Sequence, residues 1–343
     1  MTVDRARVLL VLACLLLVPQ VAAASEGPSA QGKVFGTKET AYPEWFKESF
    51  LDIAADARDS AQSDKHLMLF LEMNGCPYCY KMIEENFTHA PYADFIKEHF
   101  DVVALNISGD REVALEEDTT ATEKEIAELL NVRYTPTIIF LDSQNRRVAR
   151  VNGYRNAADF KLVLDYVQQK AYEKETLAQY VNTHKTSVYK FRDHPQLQNI
   201  RDLHAVADRP LAVLFEGAGC TACDALHDGR LKDPEVNAAL ERFTFVRLDA
   251  LSEEPIVDVD GNHTTPKAWA ESLGLTYRPG LVLFDQGREI ARIDAMLNRY
   301  HFMGVLEYVG DRHYEQYPSS PFRYIDAKTA ELLKQGKDVD ISE

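Results

Sequence analysis

Four of the five cysteines form two pairs with the same spacing, Cys76-Pro-Tyr-Cys79 and Cys220-Thr-Ala-Cys223. Structural disulfides usually link distant parts of a chain, because closing a long loop removes the most entropy from the unfolded state. A pair that closes a two-residue gap gains little in this way and suits reversible thiol–disulfide exchange better. The spacing therefore predicts two redox centres.

Each pair follows a predicted strand and opens a predicted helix. A cysteine in the first helical turn lies against unpaired backbone N–H groups and the positive end of the helix dipole, and both lower the pKa of its thiol. Cys76 and Cys220 are therefore the predicted nucleophiles. Cys79 and Cys223 lie three residues later on the same helix face and are the predicted resolving cysteines. Pro77 suits a first helical position, and the second pair lacks this proline.

The two halves of the chain repeat each other. Residues 67–76 align with 211–220, and residues 130–140 align with 273–283. The first cysteines are offset by 144 positions (220 minus 76) and the prolines Pro136 and Pro279 by 143 (279 minus 136). Two landmarks with nearly one offset indicate a duplicated globular domain, because solenoid repeats have periods of roughly 20–50 residues.

Two other interpretations of the cysteines stay open. Four sulfurs could hold a structural zinc ion, although the pairs lie in separate copies of the repeat. Both pairs could also be static disulfides that never open. We favour redox chemistry and predict no metal and no cofactor.

The hydrophobic pattern predicts the same elements in both halves. The first half has predicted helices over 43–61, 123–131 and 157–172 and predicted strands over 67–72, 102–107, 137–141 and 147–151. The second has strands over 211–216, 243–249, 280–285 and 288–294, and helices starting near Thr221, Pro266 and Asn298. The order βαβαββα is that of the thioredoxin fold. We therefore predict an α/β protein of two tandem thioredoxin-like domains, each with a central mixed sheet flanked by helices.

The predicted organisation begins with a secretory signal peptide. Residues 1–24 contain basic Arg5 and Arg7, an apolar run and three small residues, Ala22-Ala-Ala24. The predicted division is a signal peptide at 1–24, a first domain at 35–172, a connecting segment with the second domain's leading helix at 173–208, a second domain at 209–312 and a C-terminal extension at 313–343. The formal net charge of −16 disfavours binding to nucleic acid.

A glutamate lies four residues before the first cysteine of each pair, at the end of a predicted strand. Thioredoxins carry a buried carboxylate six residues before the first cysteine. That position and the position of Glu72 or Glu216 differ by two residues, an even number, so the side chains lie on the same strand face. A buried carboxyl group there could move protons for the resolving cysteine. The alternative is a half-exposed strand end without such a role.

The first repeat resembles the exported thioredoxin-like proteins that are encoded with bacterial sulfur-oxidation enzymes. The similarity is carried by Trp45–Ala54, Gly75–Cys79, Asn106–Val113 and Thr135–Thr137. The second repeat resembles the broader thioredoxin superfamily. The resemblance implies that Pro136 and Pro279 are cis and face the sulfurs.

The residue before each proline, Thr135 and Arg278, would then expose backbone to a bound substrate. Turn geometry without substrate contact is the alternative for these loops. Arg278 could also place a cation near Cys220.

The same resemblance implies a bacterial periplasmic protein that keeps partner thiols reduced. Its substrates would be disulfide-bearing proteins or small thiol compounds, and a membrane or periplasmic electron donor would recharge it. A disulfide oxidase or isomerase is the alternative enzyme. A partner-binding or chaperone module with one inert pair is the alternative of another class.

Overall fold

The computed structural model describes residues 31–116, 118–184, 191–206, 209–217 and 220–342. The predicted signal peptide lies outside these ranges. Within them, no helix combines the length and the apolar character that crossing a bilayer requires.

In the first half of the chain, a four-stranded mixed sheet is covered by helices on both faces. Its elements are β1 (Val34–Phe35), α1 (Ile53–Gln62), β2 (His66–Glu72), α2 (Pro77–Met82), α3 (Ala93–His99), β3 (Phe100–Asn106), β4 (Glu112–Glu116), β5 (Thr119–Thr122), α4 (Glu123–Leu129), β6 (Thr137–Leu141), β7 (Arg147–Asn152) and α5 (Ala157–Gln168). The strand order is β3-β2-β6-β7, with β2 parallel to β3 and antiparallel to β6. Alternate β2 residues enter two different apolar clusters, one under α2 and α5 and one under α1 and α4.

The second half has the same plan with one additional edge strand. Its elements are α6 (Leu177–His184), β8 (Leu197–Gln198), β9 (Leu211–Glu216), α7 (Thr221–Asp228), α8 (Pro234–Leu240), β10 (Thr244–Asp249), β11 (Ile256–Val257), β12 (His263–Thr264), α9 (Pro266–Ser272), β13 (Gly280–Asp285), β14 (Arg288–Ile293), α10 (Arg299–Gly310), α11 (Pro321–Lys334) and β15 (Val339–Asp340). The sheet order is β14-β13-β9-β10-β8. The prediction of two thioredoxin-like domains with mixed central sheets is confirmed.

Local signals account for most of the element limits. Strands 211–216 and 280–285 have the predicted limits, because they are continuous apolar runs bounded by polar residues and turns. Helix α4 starts where predicted, since Thr122 and Glu125 form a capping box.

The predicted helix over 43–61 is wrong in its first ten residues. Helix α1 begins only at Ile53, where the side chain of Asp52 accepts the N–H of Ala55. Leu51 has a positive φ of 63°, which ends any helix before it. Phe50, which an unbroken helix over 43–61 would place on the apolar face with Ile53 and Ala57, is fully exposed.

The two domains pack on each other through the loops that surround the prolines. One continuous cluster of buried apolar residues extends through both halves. The hydroxyl of Tyr134 donates to the carbonyl of Arg292, and the guanidinium of Arg155 lies 4.7 Å from the ring centre of Tyr277. Tyr134 and Tyr277 each precede a cis-proline by two residues. The interface is therefore built from equivalent loops of the two repeats.

The C-terminal extension packs against both halves of the chain. Helix α11 packs on α10, where a side chain in place of Gly304 would overlap Ile325. The ring of Phe322 lies 5.3 Å from that of Tyr134 in the first domain, and β15 pairs in parallel with β1. The extension thus contacts both domains.

Candidate redox sites

Cys76 caps the helix that carries Cys79. It follows β2 and Gly75, whose φ of +75° provides the turn that joins the strand to α2. The Sγ of Cys76 accepts the backbone N–H of Cys79 at 3.1 Å, and Pro77 occupies the first helical turn. The two cysteines form a disulfide with Cα atoms 5.3 Å apart. The helix start thus holds the nucleophile where an anion is stabilised.

The Thr135–Pro136 loop lies directly against this sulfur. The peptide bond is cis, as the resemblance implied. The hydroxyl of Thr135 donates to the Sγ of Cys76 at 3.5 Å, and the backbone carbonyl of Pro136 accepts the N–H of Gly153 at 2.6 Å. The loop is therefore positioned to contact a group bound to Cys76, and substrate binding by it stays a prediction.

The second pair repeats the cap. Cys220 precedes α7, and its Sγ accepts the N–H of Cys223 at 3.2 Å. These cysteines also form a disulfide, with Cα atoms 5.2 Å apart, and the Arg278–Pro279 bond is cis. Each disulfide is closed within its own domain, as the redox interpretation and the static-disulfide interpretation both require.

Arg278 is turned into the fold. Its guanidinium donates to the carbonyls of Leu275 and Tyr277 and to Oδ1 of Asn182, all at 3.1 Å. Burial lowers its pKa to about 10, so it remains charged at neutral pH. Among the described residues no contact supports the hypothesis that this cation lies beside Cys220. The guanidinium instead joins the second domain to α6.

Both glutamates are buried beneath the Cys-x-x-Cys helices, and the alternative of half-exposed strand ends is wrong. Glu72 shares its sheet face with Phe70, in the cluster that includes Cys79. Its Oε1 accepts the hydroxyl of Tyr42 at 2.7 Å. Burial raises the pKa of the Glu72 carboxyl, and the hydrogen bond from Tyr42 opposes this increase.

Glu216 has a buried histidine partner that sequence reasoning missed. Its Oε1 lies 2.9 Å from Nε2 of His227, and both side chains are almost completely buried. His227 lies four residues after Cys223, so it shares that cysteine's helix face. This spacing is the signal that could have identified it. The pair connects the end of β9 to α7 beneath the second disulfide.

Glu72→Gln should remove one limb from the pH–rate profile of the first pair. A carboxyl group can accept the thiol proton of Cys79 only when ionised, so the rate should rise through the raised pKa of Glu72. Glutamine keeps the acceptor for Tyr42 but cannot titrate. Stopped-flow rates between pH 4 and 8 test this, with Glu98→Gln as the exposed control. A profile unchanged by Glu72→Gln would exclude the proton-transfer role.

Tyr78, between the two cysteines of the first pair, connects the site to the second domain. Its hydroxyl oxygen accepts the N–H of Asn298 at 2.8 Å and lies 2.8 Å from Nδ1 of His301. Burial lowers the pKa of His301 to about 4, so the imidazole is neutral at pH 7. In the tautomer that carries its proton on Nε2, this imidazole accepts the Tyr78 hydroxyl at Nδ1, and the hydrogen bond joins the redox motif to α10.

Acid should weaken this connection. The unfolded chain protonates His301 near pH 6.5 and the folded protein only near pH 4. The contribution of the neutral His301 imidazole to the free energy of unfolding is therefore fully present above about pH 6.5 and is lost as the pH falls toward 4. We expect wild type to lose up to about 3 kcal/mol of unfolding free energy over this window relative to His301→Gln. Urea denaturation checks this, and the exposed His263→Gln should titrate like wild type.

A known family model matches both halves of the chain. The family model described as a thioredoxin-like domain matches residues 53–168 and 200–310, together about two thirds of the chain. Among solved structures, a thioredoxin-fold protein from Helicobacter pylori is 27% identical, with 33% of this chain and 74% of that chain covered and a TM-score of 0.30.

Two further solved structures are similar over one domain. The DsbH oxidoreductase is 17% identical over 39% of this chain and 88% of that chain, with a TM-score of 0.27. A thioredoxin from Thermus thermophilus is 22% identical over 38% and 86%, with a TM-score of 0.27. No curated protein matches the chain.

Proposed function

The chain belongs to the thioredoxin-like domain family and has the paired cysteines of a thiol–disulfide oxidoreductase, and we propose that it is a periplasmic enzyme that reduces disulfides. The observation that carries this proposal is the sulfur of Cys76. It caps α2, accepts the N–H of Cys79 and contacts the loop of a cis-proline.

The reduced first pair would act in two steps. The Cys76 thiolate attacks one sulfur of a substrate disulfide, and the other substrate sulfur leaves as a thiolate and takes up a proton. The Cys79 thiolate then attacks Cys76 in the mixed disulfide and releases the second substrate thiol. Two electrons pass to the substrate, and the pair becomes the Cys76–Cys79 disulfide.

The burial of the site supports the reducing direction. Strong oxidants of this type have a reduced form that is stabilised as the thiolate. Cys76 is 2% exposed within an apolar cluster, and removing an anion from water opposes the stabilisation from the helix start. Burial therefore offsets part of the stabilisation that the helix start gives the thiolate, and this supports transfer of electrons to the substrate.

The location and partners are proposed from the sequence. The N-terminal pattern of residues 1–24 favours export, and the resemblance of the first repeat to proteins of sulfur-oxidation clusters favours the bacterial periplasm. Substrates there would be proteins or small molecules that carry disulfides. A membrane or periplasmic dithiol donor would restore the reduced pair. The acidic surface disfavours nucleic acid as a partner.

The second pair is proposed as an electron donor to the first or as a binding module. Arg278, which precedes its cis-proline, is buried and bonded to α6, so its side chain is not offered to an external partner. An oxidase or isomerase remains the alternative reaction.

The reduction potential of each pair tests the direction. Variants with one cysteine pair changed to serine would be equilibrated in dithiothreitol redox buffers and alkylated. Mass spectrometry would then give the fraction of the remaining pair that is reduced at each buffer potential. We expect the Cys76–Cys79 pair near the value of thioredoxin, about −270 mV, whereas a value near −120 mV, typical of a strong oxidant, would contradict the proposal.

A further inference from the structure

We propose that the first pair acts on a low-molecular-weight disulfide that enters a cavity between the domains, and not on the disulfides of folded proteins. This inference rests on the proposed reductase function and specifies its substrate. Cys76 lines a cavity of about 740 Å³, a volume typical of small-molecule sites, which measure roughly 300–1,000 Å³.

Three parts of the chain form the walls of this cavity. The first domain contributes Cys76, Tyr78 and Thr135, the second contributes Met296 and Leu297, and the extension contributes Phe322. Cys76 itself is 2% exposed. A substrate sulfur must therefore reach Cys76 through the cavity, because the disulfide is not presented on a convex surface.

The contacts around the cavity oppose its opening by a protein substrate. A Cβ in place of the hydrogen of Gly153 would overlap Ala295 of the second domain, so the backbone beside cis-Pro136 is already covered. The hydrogen bonds of Tyr78 to α10 and of Tyr134 to β14 cross the same interface. The apolar cluster between the domains is continuous with both cores, and a folded protein would have to separate the domains to lay a chain segment along the backbone beside Pro136.

The chemistry of the walls indicates the kind of molecule. Tyrosine, methionine, leucine and phenylalanine side chains line the interior, which favours apolar arms on the disulfide. Lys124 and Arg133 lie at the exposed rim, and a third cation, Arg323, is 3.8 Å from Glu128. The lining also holds the carboxylates of Glu128 and Asp326, so the three cations leave an excess of one positive charge. In a chain of net charge −16, this local excess favours an anionic group at the outer end. The cavity thus fits an organic disulfide with short apolar arms that end in carboxylates.

The test compares substrates in the full chain with Cys220 and Cys223 changed to serine. Reduced protein would be mixed in single turnover with 3,3′-dithiodipropionate, with 2-hydroxyethyl disulfide or with insulin. Each rate would be divided by the rate of dithiothreitol with the same compound, which removes differences in intrinsic reactivity. We expect the normalised rate with dithiodipropionate to exceed that with insulin at least tenfold and that with the neutral disulfide several-fold.

A series at Met296 fills the cavity in steps. Met296→Leu conserves volume and should leave dithiodipropionate reduction nearly unchanged, whereas Met296→Phe and Met296→Trp should slow it progressively, at least tenfold for tryptophan. Met303→Trp is the matched control. Met303 lies on α10 and is half-buried, as Met296 is, but it does not line the cavity. Circular dichroism would verify folding, and the phenylalanine variant provides the comparison where tryptophan disrupts the fold.

Two results would overturn the inference. One is insulin reduction as fast as, or faster than, dithiodipropionate reduction after normalisation. The other is a dithiodipropionate rate that the Met296 series leaves unchanged. Both leave the reductase function intact, whereas failure to reduce any of the three compounds would contradict the proposed function itself.

Discussion

Replacing Cys76 with serine in the variant that lacks the second pair should reduce disulfide turnover to the level of the protein with all four cysteines changed. A serine hydroxyl is not ionised at neutral pH, so no nucleophile remains at the start of α2. The hydrogen bond from the N–H of Cys79 persists with the serine oxygen as acceptor, so the fold should be retained. Thiol release from a small disulfide measures the effect.

Cys79→Ser should behave differently. Its Cys76 thiolate can still attack, but the mixed disulfide cannot be resolved from within the helix. Mass spectrometry should detect the substrate covalently bound to Cys76 at close to one equivalent. Trapping by Cys76→Ser instead, through Cys79, would show that the roles of the two cysteines are reversed.

Gly153→Ala should destabilise the contact between the domains. Gly153 has a φ of +72°, which costs an alanine about 1–2 kcal/mol, and the new Cβ would overlap the side chain of Ala295. Overpacking typically costs about 1–3 kcal/mol more. We expect the unfolding free energy to fall by about 2–5 kcal/mol, measured by urea denaturation.

The matched control is a double variant that combines Gly153→Ala with Ala295→Gly. Removing the opposing methyl group relieves the overlap but leaves the backbone strain, so the double variant should recover about 1–3 kcal/mol relative to additivity. Strictly additive effects would show that Gly153 and Ala295 are not in contact and that the domains are not packed through their proline loops.

The sequence was sufficient for the features that depend on local patterns. Apolar runs defined β9 and β13, and a strand followed by glycine and cysteine placed each pair at a helix start. The even spacing from the known carboxylate predicted that Glu72 and Glu216 face the redox helices. Each of these follows from strand or helix periodicity within one segment.

Features that depend on distant segments could not be predicted in this way. The contact of Gly153 with Ala295 and the hydrogen bond of Tyr78 to His301 require the arrangement of two domains. The same holds for Phe322, whose position against Tyr134 comes from the extension. The predicted helix over 43–61 failed for a different reason, because a left-handed residue interrupts an apolar pattern that fits a helix.

The most direct test of the central claim is whether each disulfide opens and closes while the protein stays folded. The wild-type protein would be exposed to dithiothreitol and then to oxidised glutathione, alkylated at each stage, and mapped by mass spectrometry alongside circular dichroism. We predict two modified cysteines per pair after reduction, none after reoxidation, and an unchanged fold throughout. Pairs that stay closed in the folded protein, or that open only when it unfolds, would be structural disulfides and would contradict a redox role.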